Sequence, residues 1–95
     1  MYDMAKSGWK EFLKLCSEID SPEEMSQVFD LFLTIEEKET LAKRYLIIKA
    51  LLEAKLTQRQ IADIFNVSIA QITRGSNATK IISTKLKELL KSHLQ

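Results

Sequence analysis

The sequence predicts an all-α fold of six helices, on three observations. Apolar residues recur at three- and four-residue steps through nearly every segment. Four of the expected helix starts carry capping chemistry at their first turn. No stretch alternates in the two-residue period of a half-buried strand, and there is no internal repeat or low-complexity run. With 95 residues, 45% of them hydrophobic, the chain suffices for one domain and not two.

The first helix follows from Trp9, Phe12, Leu13, Cys16 and Ile19, which share one face at helical spacing. Ser21-Pro22-Glu23-Glu24 then supplies a cap, a proline at the first helical position and a glutamate at the third. That second helix gathers Met25, Val28, Phe29 and Phe32 on one side. Thr34-x-x-Glu37 opens a third helix, running to about Glu53, whose apolar residues Leu41, Tyr45, Leu46, Ile47, Ile48, Leu51 and Leu52 cover more than one stripe. Two short helices follow, opened by Thr57-x-x-Gln60 and Ser68-x-x-Gln71. The last helix begins near Thr84 and is expected to bury Leu86, Leu89, Leu90 and Leu94.

The two short helices carry the functional signal. Their capping boxes stand eleven residues apart in LTQRQIADIFNVSIAQITRGSN, with Asn66 at the corner, where a left-handed backbone suits asparagine. Ile61, Ala62, Phe65, Val67 and Ile72 fall where two helices crossing steeply would pack. This is the plan of a helix-turn-helix, whose second helix enters the major groove of DNA. An αα-corner that merely packs is the competing reading. The charge distribution favours DNA: residues 1–53 carry seven Lys/Arg against eleven Asp/Glu, a net −4, and residues 54–95 carry seven against two, a net +5. Lys85, Lys87 and Lys91 read as an ordinary solvated helix face.

Other residues bound the function by exclusion. Cys16 is the single cysteine and His93 the single histidine, the first expected in the core and the second in solvent. No disulfide, zinc set, converging carboxylate pair or glycine-rich loop is available, so neither a catalytic site nor a metal site is expected. No apolar run approaches a membrane span or a signal peptide, which leads to the expectation of a reducing cytoplasm. The wide apolar surface of the third helix, with Trp9 and Phe12 of the first, argues for a partner chain, since a chain this small buries only roughly 60–70% of its unfolded surface. A symmetric homodimer meets that need and presents two reading helices one DNA turn apart; a tightly packed monomer is the alternative. Gly75 stands three positions after Ile72, where helix-turn-helix units usually place an apolar residue. Either something is given space there or the helix ends early.

From Leu31 to Lys80 the chain resembles the bacterial tryptophan repressor family, on LFLTIEEKETLAKR at 31–44, LTQRQIA at 56–62 and above all ITRGSN at 72–77. The resemblance implies an intertwined homodimer: residues 1–53 in the dimer core, 56–80 as the reading head, and 84–94 completing the core of one domain over 1–95. It implies L-tryptophan as corepressor, the indole sandwiched between Arg44 and Arg74, the carboxylate paired with Arg74 and the amino group on the carbonyls of Leu31 and Leu33. Thr34, Ile48, Gly75 and Ala78 would line that pocket, Gly75 leaving room for the ring. Ser68, Ile69, Ala70, Gln71 and Thr73 would face base edges of operator DNA, while Gln58, Arg59, Ser76, Asn77 and Lys80 would hold phosphates or fix register. The chain departs from the family pattern at Ala78, where the best-studied members have a serine that helps hold the ligand amino group. It departs again at Ala62, which replaces a lysine, and at Gln71, which replaces a threonine.

The expected function is therefore tryptophan-dependent repression of transcription. A ligand-independent DNA-binding regulator of the same fold is one alternative. A helical protein-interaction module, with no salt-sensitive binding to duplex DNA, is the other.

Overall fold

The computed structural model of the protein describes residues 3–94; residues 1, 2 and 95, the two ends of the expected domain, lie outside the described residues. Among the described residues there are six α-helices and no strand: α1 (Met4–Ser17), α2 (Pro22–Phe32), α3 (Ile35–Glu53), α4 (Gln58–Phe65), α5 (Ile69–Ile81) and α6 (Thr84–Leu94). The all-α class and the helix order are those the sequence predicts. The chain divides into two units between Lys38 and Glu39.

In the first unit, caps fix where the helices start. The Asp3 carboxylate accepts the Lys6 N–H at 3.1 Å and opens α1. The Ser21 hydroxyl accepts the Glu24 N–H at 3.1 Å and opens α2, with Pro22 at its first position. Thr34 and Glu37 exchange hydrogen bonds at 2.9 and 3.1 Å ahead of α3. Those bonds to Thr34, the backbone one foremost, hold the Glu37 carboxyl below the ordinary carboxylate range. A carboxyl pKa lowered in the folded state in this way stabilises at neutral pH, and the contribution fades as acid protonates the carboxylate. Asp30 and Lys38 form an ion pair across the same turn at 2.6 Å.

Aromatic rings tie α1 to α2. Phe12 stacks on Trp9 at 5.9 Å and meets Phe32 edge-on at 5.3 Å and Phe29 at 6.4 Å. Yet neither helix has a fully buried residue. Leu31 is 78% exposed, Met4 75%, Ile35 72% and Trp9 60%. Cys16, expected in the core, is only half-buried, and Ile19 follows the end of α1 rather than belonging to it.

The second unit does have a core. Ile47 and Ala50 of α3, Ile61 of α4 and Ile72 of α5 are buried together, with Leu51, Ala62, Phe65 and Val67 packed on them. These include all five residues expected at the crossing of the short helices. Asn66 closes α4 at φ 53° and ψ 52°, the left-handed corner, and the Val67 N–H returns to the Ala62 carbonyl at 3.1 Å. The capping boxes of Thr57 with Gln60 and Ser68 with Gln71 are both complete. On α6 the expectation of burial fails: Leu89 is 65% and Leu86 41% exposed, and Leu90 and Leu94 are half-buried. His93 is exposed as expected, though its ring meets Tyr45 edge-on at 6.3 Å.

Ala54 ends α3 at φ 56°, in the left-handed region that a β-carbon disfavours. Replacement of Ala54 by glycine is expected to raise stability by about 0.5–1 kcal/mol, the relief of strain exceeding the added freedom of the unfolded chain. Urea unfolding at fixed protein concentration measures it.

Candidate ligand pocket and nucleic-acid interface

Two helical stripes in the second unit face one another across a cavity of about 340 Å³. Helix α3 contributes Thr40, Lys43, Arg44, Ile47 and Ile48, spaced i, i+3, i+4, i+7 and i+8. Helix α5 contributes Gln71, Arg74, Gly75 and Ala78, spaced i, i+3, i+4 and i+7. The volume suits one small molecule. Apolar side chains form part of the wall, and three cations, Lys43, Arg44 and Arg74, form much of the remainder with no carboxylate among the lining residues. Such a lining accepts a flat apolar body bearing an anionic group.

Gly75 explains why the stripes come so close. A β-carbon at that position would lie 3.2 Å from Ile47 Cγ2, 3.4 Å from Leu51 Cδ1 and 3.5 Å from Ile48 Cδ1. The glycine lets α5 approach α3. It does not end its helix, as one reading of the sequence allowed, because α5 continues to Ile81. The space it yields is filled by α3 side chains, while Gly75 itself remains part of the cavity wall.

Of the eight expected ligand residues, Arg44, Ile48, Arg74, Gly75 and Ala78 meet at this cavity. Leu31, Leu33 and Thr34 belong to the first unit, where Leu31 lies in α2, Leu33 closes it and Thr34 opens α3. Thr40, Lys43 and Ile47 were not among the expected residues, although Arg44 and Ile48 define the α3 stripe that includes all three. Gln71, expected only at DNA, also lines the cavity.

The expected DNA-facing residues cluster at the starts of α4 and α5. Gln58 and Arg59 are exposed in the first turn of α4, and Ile69, Ala70, Gln71 and Thr73 are exposed in the first turns of α5. Ser68 and Gln71 have part of their hydrogen-bonding capacity engaged in the cap: Gln71 Oε1 accepts the Ser68 N–H at 2.9 Å, and Ser68 Oγ accepts the Gln71 N–H at 3.2 Å. The Gln71 amide NH₂ is left for a neighbour. Further along α5, Asn77 and Lys80 are exposed, and half-buried Ser76 accepts the Thr79 hydroxyl on its carbonyl at 2.7 Å.

Comparison with known proteins matches residues 7–94 to the family described as Trp repressor protein. The chain belongs to that family. It is similar to the Trp operon repressor homolog of Chlamydia caviae, 56% identical over 87 residues, covering 92% of this chain and 86% of that protein. It is 48% identical to the homolog of Chlamydia trachomatis serovar D over 94 residues, covering 99% of this chain and all of that protein. The homolog of Vibrio cholerae is 37% identical over 84 residues, covering 88% of this chain and 82% of that protein. Membership in the Trp repressor family makes the chain a regulator of that type. No helix among the described residues is long and apolar enough to cross a membrane.

Proposed function

We propose that the protein is an L-tryptophan-dependent transcriptional repressor that binds operator DNA as a homodimer. The observation that carries this reading is the shared wall: Arg74, Gly75 and Ala78 belong to the same helix whose first turns expose Ile69, Ala70, Gln71 and Thr73. A ligand seated against α5 bears directly on the element that would read DNA. Arg44 and Arg74 supply guanidinium faces for the indole, and Arg74 supplies hydrogen bonds for the carboxylate. Leu31, Leu33 and Thr34 take the amino end in this reading, and Ala78 leaves that end with one hydroxyl fewer than the serine of the best-studied members. Loss of one such bond weakens binding by roughly 0.5–1.5 kcal/mol without abolishing it.

Occupied, the pocket holds α5 in the orientation that suits successive major grooves; empty, the reading head samples poorer positions and binds DNA only through charge. Ser68, Ile69, Ala70, Gln71 and Thr73 face base edges, and Gln58, Arg59, Ser76, Asn77 and Lys80 meet the backbone. The dimer is supported by the apolar faces of α1, α2 and α6, which a single chain leaves open.

Isothermal titration of L-tryptophan, with and without operator duplex, tests the whole reading. Linkage requires DNA to tighten tryptophan binding by the factor by which tryptophan tightens DNA binding. Equal tryptophan affinities in the two titrations would leave a DNA-binding protein without a switch.

A further inference from the structure

Lys43 lines the cavity beside Arg44 and faces the stripe that carries Arg74. We propose that Lys43 is a specificity-determining residue of this pocket, a third cation that engages the ligand carboxylate and biases the site toward anionic aromatic ligands. The inference rests on the tryptophan-binding reading and deepens it.

Three observations support it. The lining residues include Lys43, Arg44 and Arg74 but no acidic residue, so the site's field is positive from both walls. Lys43 makes no ion pair among the described residues, although Glu39 stands one turn before it in the order that favours such a pair. Its ammonium is therefore available to the cavity. The lining side chains offer an ammonium group only neutral acceptors, the Thr40 hydroxyl and Gln71 Oε1, the latter already accepting the Ser68 N–H. Recognition by these side chains thus falls on the carboxylate end of a ligand, with guanidinium planes on its ring and a flexible point charge at its anion.

The division of labour follows from geometry. An arginine stacked flat on a ring directs its N–H groups along the ring plane, so Arg74 meets the carboxylate from near that plane and cannot follow the group as it turns. A lysine on a four-carbon stem can. Because Lys43 is exposed and screened by solvent, its contribution is expected to be modest, about fivefold in affinity.

The test uses the whole chain, first without DNA and then with operator duplex. L-Tryptophan is titrated into wild type, Lys43→Gln and Lys43→Arg, and then L-tryptophanamide, whose carboxylate is replaced by a neutral amide. The expected result is about fivefold weaker L-tryptophan binding for Lys43→Gln and a change of less than about twofold for Lys43→Arg. Binding of the amide by Lys43→Gln should equal that of wild type, or be undetectable in both. Unliganded melting temperatures should agree among the three proteins, which separates ligand recognition from folding. Undiminished L-tryptophan binding by Lys43→Gln would overturn the proposal. If the salt dependence of operator binding then fell by about one ion, Lys43 would be a phosphate contact instead. Equal losses for the acid and the amide would also overturn it, because the carboxylate would not be the group engaged. Failure of the wild type to bind L-tryptophan would refute the proposed function itself, before any variant enters.

Discussion

Replacement of Arg74 by alanine is expected to weaken L-tryptophan binding by about 30- to 150-fold, or roughly 2 to 3 kcal/mol. Two losses combine in that figure. The indole loses a guanidinium face, worth about 0.5 to 1 kcal/mol at an exposed site, and the carboxylate loses charge-assisted hydrogen bonds worth about 1.5 to 3 kcal/mol before solvent screening. Because Arg74 is exposed, the lower part of the combined range is the appropriate expectation. Ligand-dependent repression should disappear at tryptophan concentrations that saturate the wild type. Arg59→Ala provides the contrast: Arg59 is equally an exposed cation of the second unit, in the first turn of α4, but does not line the cavity. Its removal should leave tryptophan affinity within about twofold while lowering the salt slope of operator binding by about one. Calorimetry on both variants, followed by DNA binding across a salt series, separates the two roles. Equal effects of the two substitutions on tryptophan affinity would mean that Arg74 acts through general charge and not as a clamp.

The parts of the fold governed by short-range chemistry were legible in the sequence, and the parts governed by a second surface were not. A capping box spans four residues, so Thr34, Thr57 and Ser68 could be placed from their own neighbours, and the structure has each hydrogen-bonded as expected. Asn66 announced its left-handed corner in the same local way. Ala54 did not, because alanine has a β-carbon that disfavours that backbone and no polar side chain to announce it. Burial was misjudged where it depends on other elements. Leu86 and Leu89 lie on a proper apolar stripe, but a stripe specifies only that a partner is required, and the single chain leaves these residues open.

At the pocket the same contrast holds. The resemblance pointed to Arg44 and Arg74, which lie thirty residues apart in sequence but line one cavity. Lys43 is not legible from spacing alone, because adjacent residues on a helix differ by about 100° in direction, and only the structure shows that Lys43 and Arg44 both line the cavity. Gly75 stands out in the sequence where an apolar residue is usual, and its reason lies in a contact that only the fold shows. The absence of a side chain there serves the contact between α3 and α5 first, and any ligand second.

That contact depends on a very small core, which makes Ile61→Ala the substitution with the largest expected effect on stability. Ile61 is fully buried, and among the described residues only Ile47, Ala50 and Ile72 are buried with it. Truncation removes most of a buried side chain and leaves a cavity at the crossing of α4 and α5, at a typical cost of 2 to 5 kcal/mol. Helices of eight and thirteen residues do not persist alone in water, so their order relies on this packing. With total stabilities of about 5 to 15 kcal/mol usual for domains, the loss is a large share of the total and unfolds the α4–α5 pair outright only at the low end of that range. Ile64→Ala is the matched control. It deletes the same atoms three residues later on the same helix, where the side chain is 61% exposed, and should change stability by less than about 0.5 kcal/mol. Urea unfolding followed by circular dichroism, at one protein concentration throughout, gives both numbers. Saturating L-tryptophan should recover part of the Ile61→Ala deficit, since a ligand that binds only the ordered α3–α5 groove favours it by mass action. Similar costs for the two substitutions would show that Ile61 does not hold the α4–α5 pair together, and the core would then not support the pocket wall.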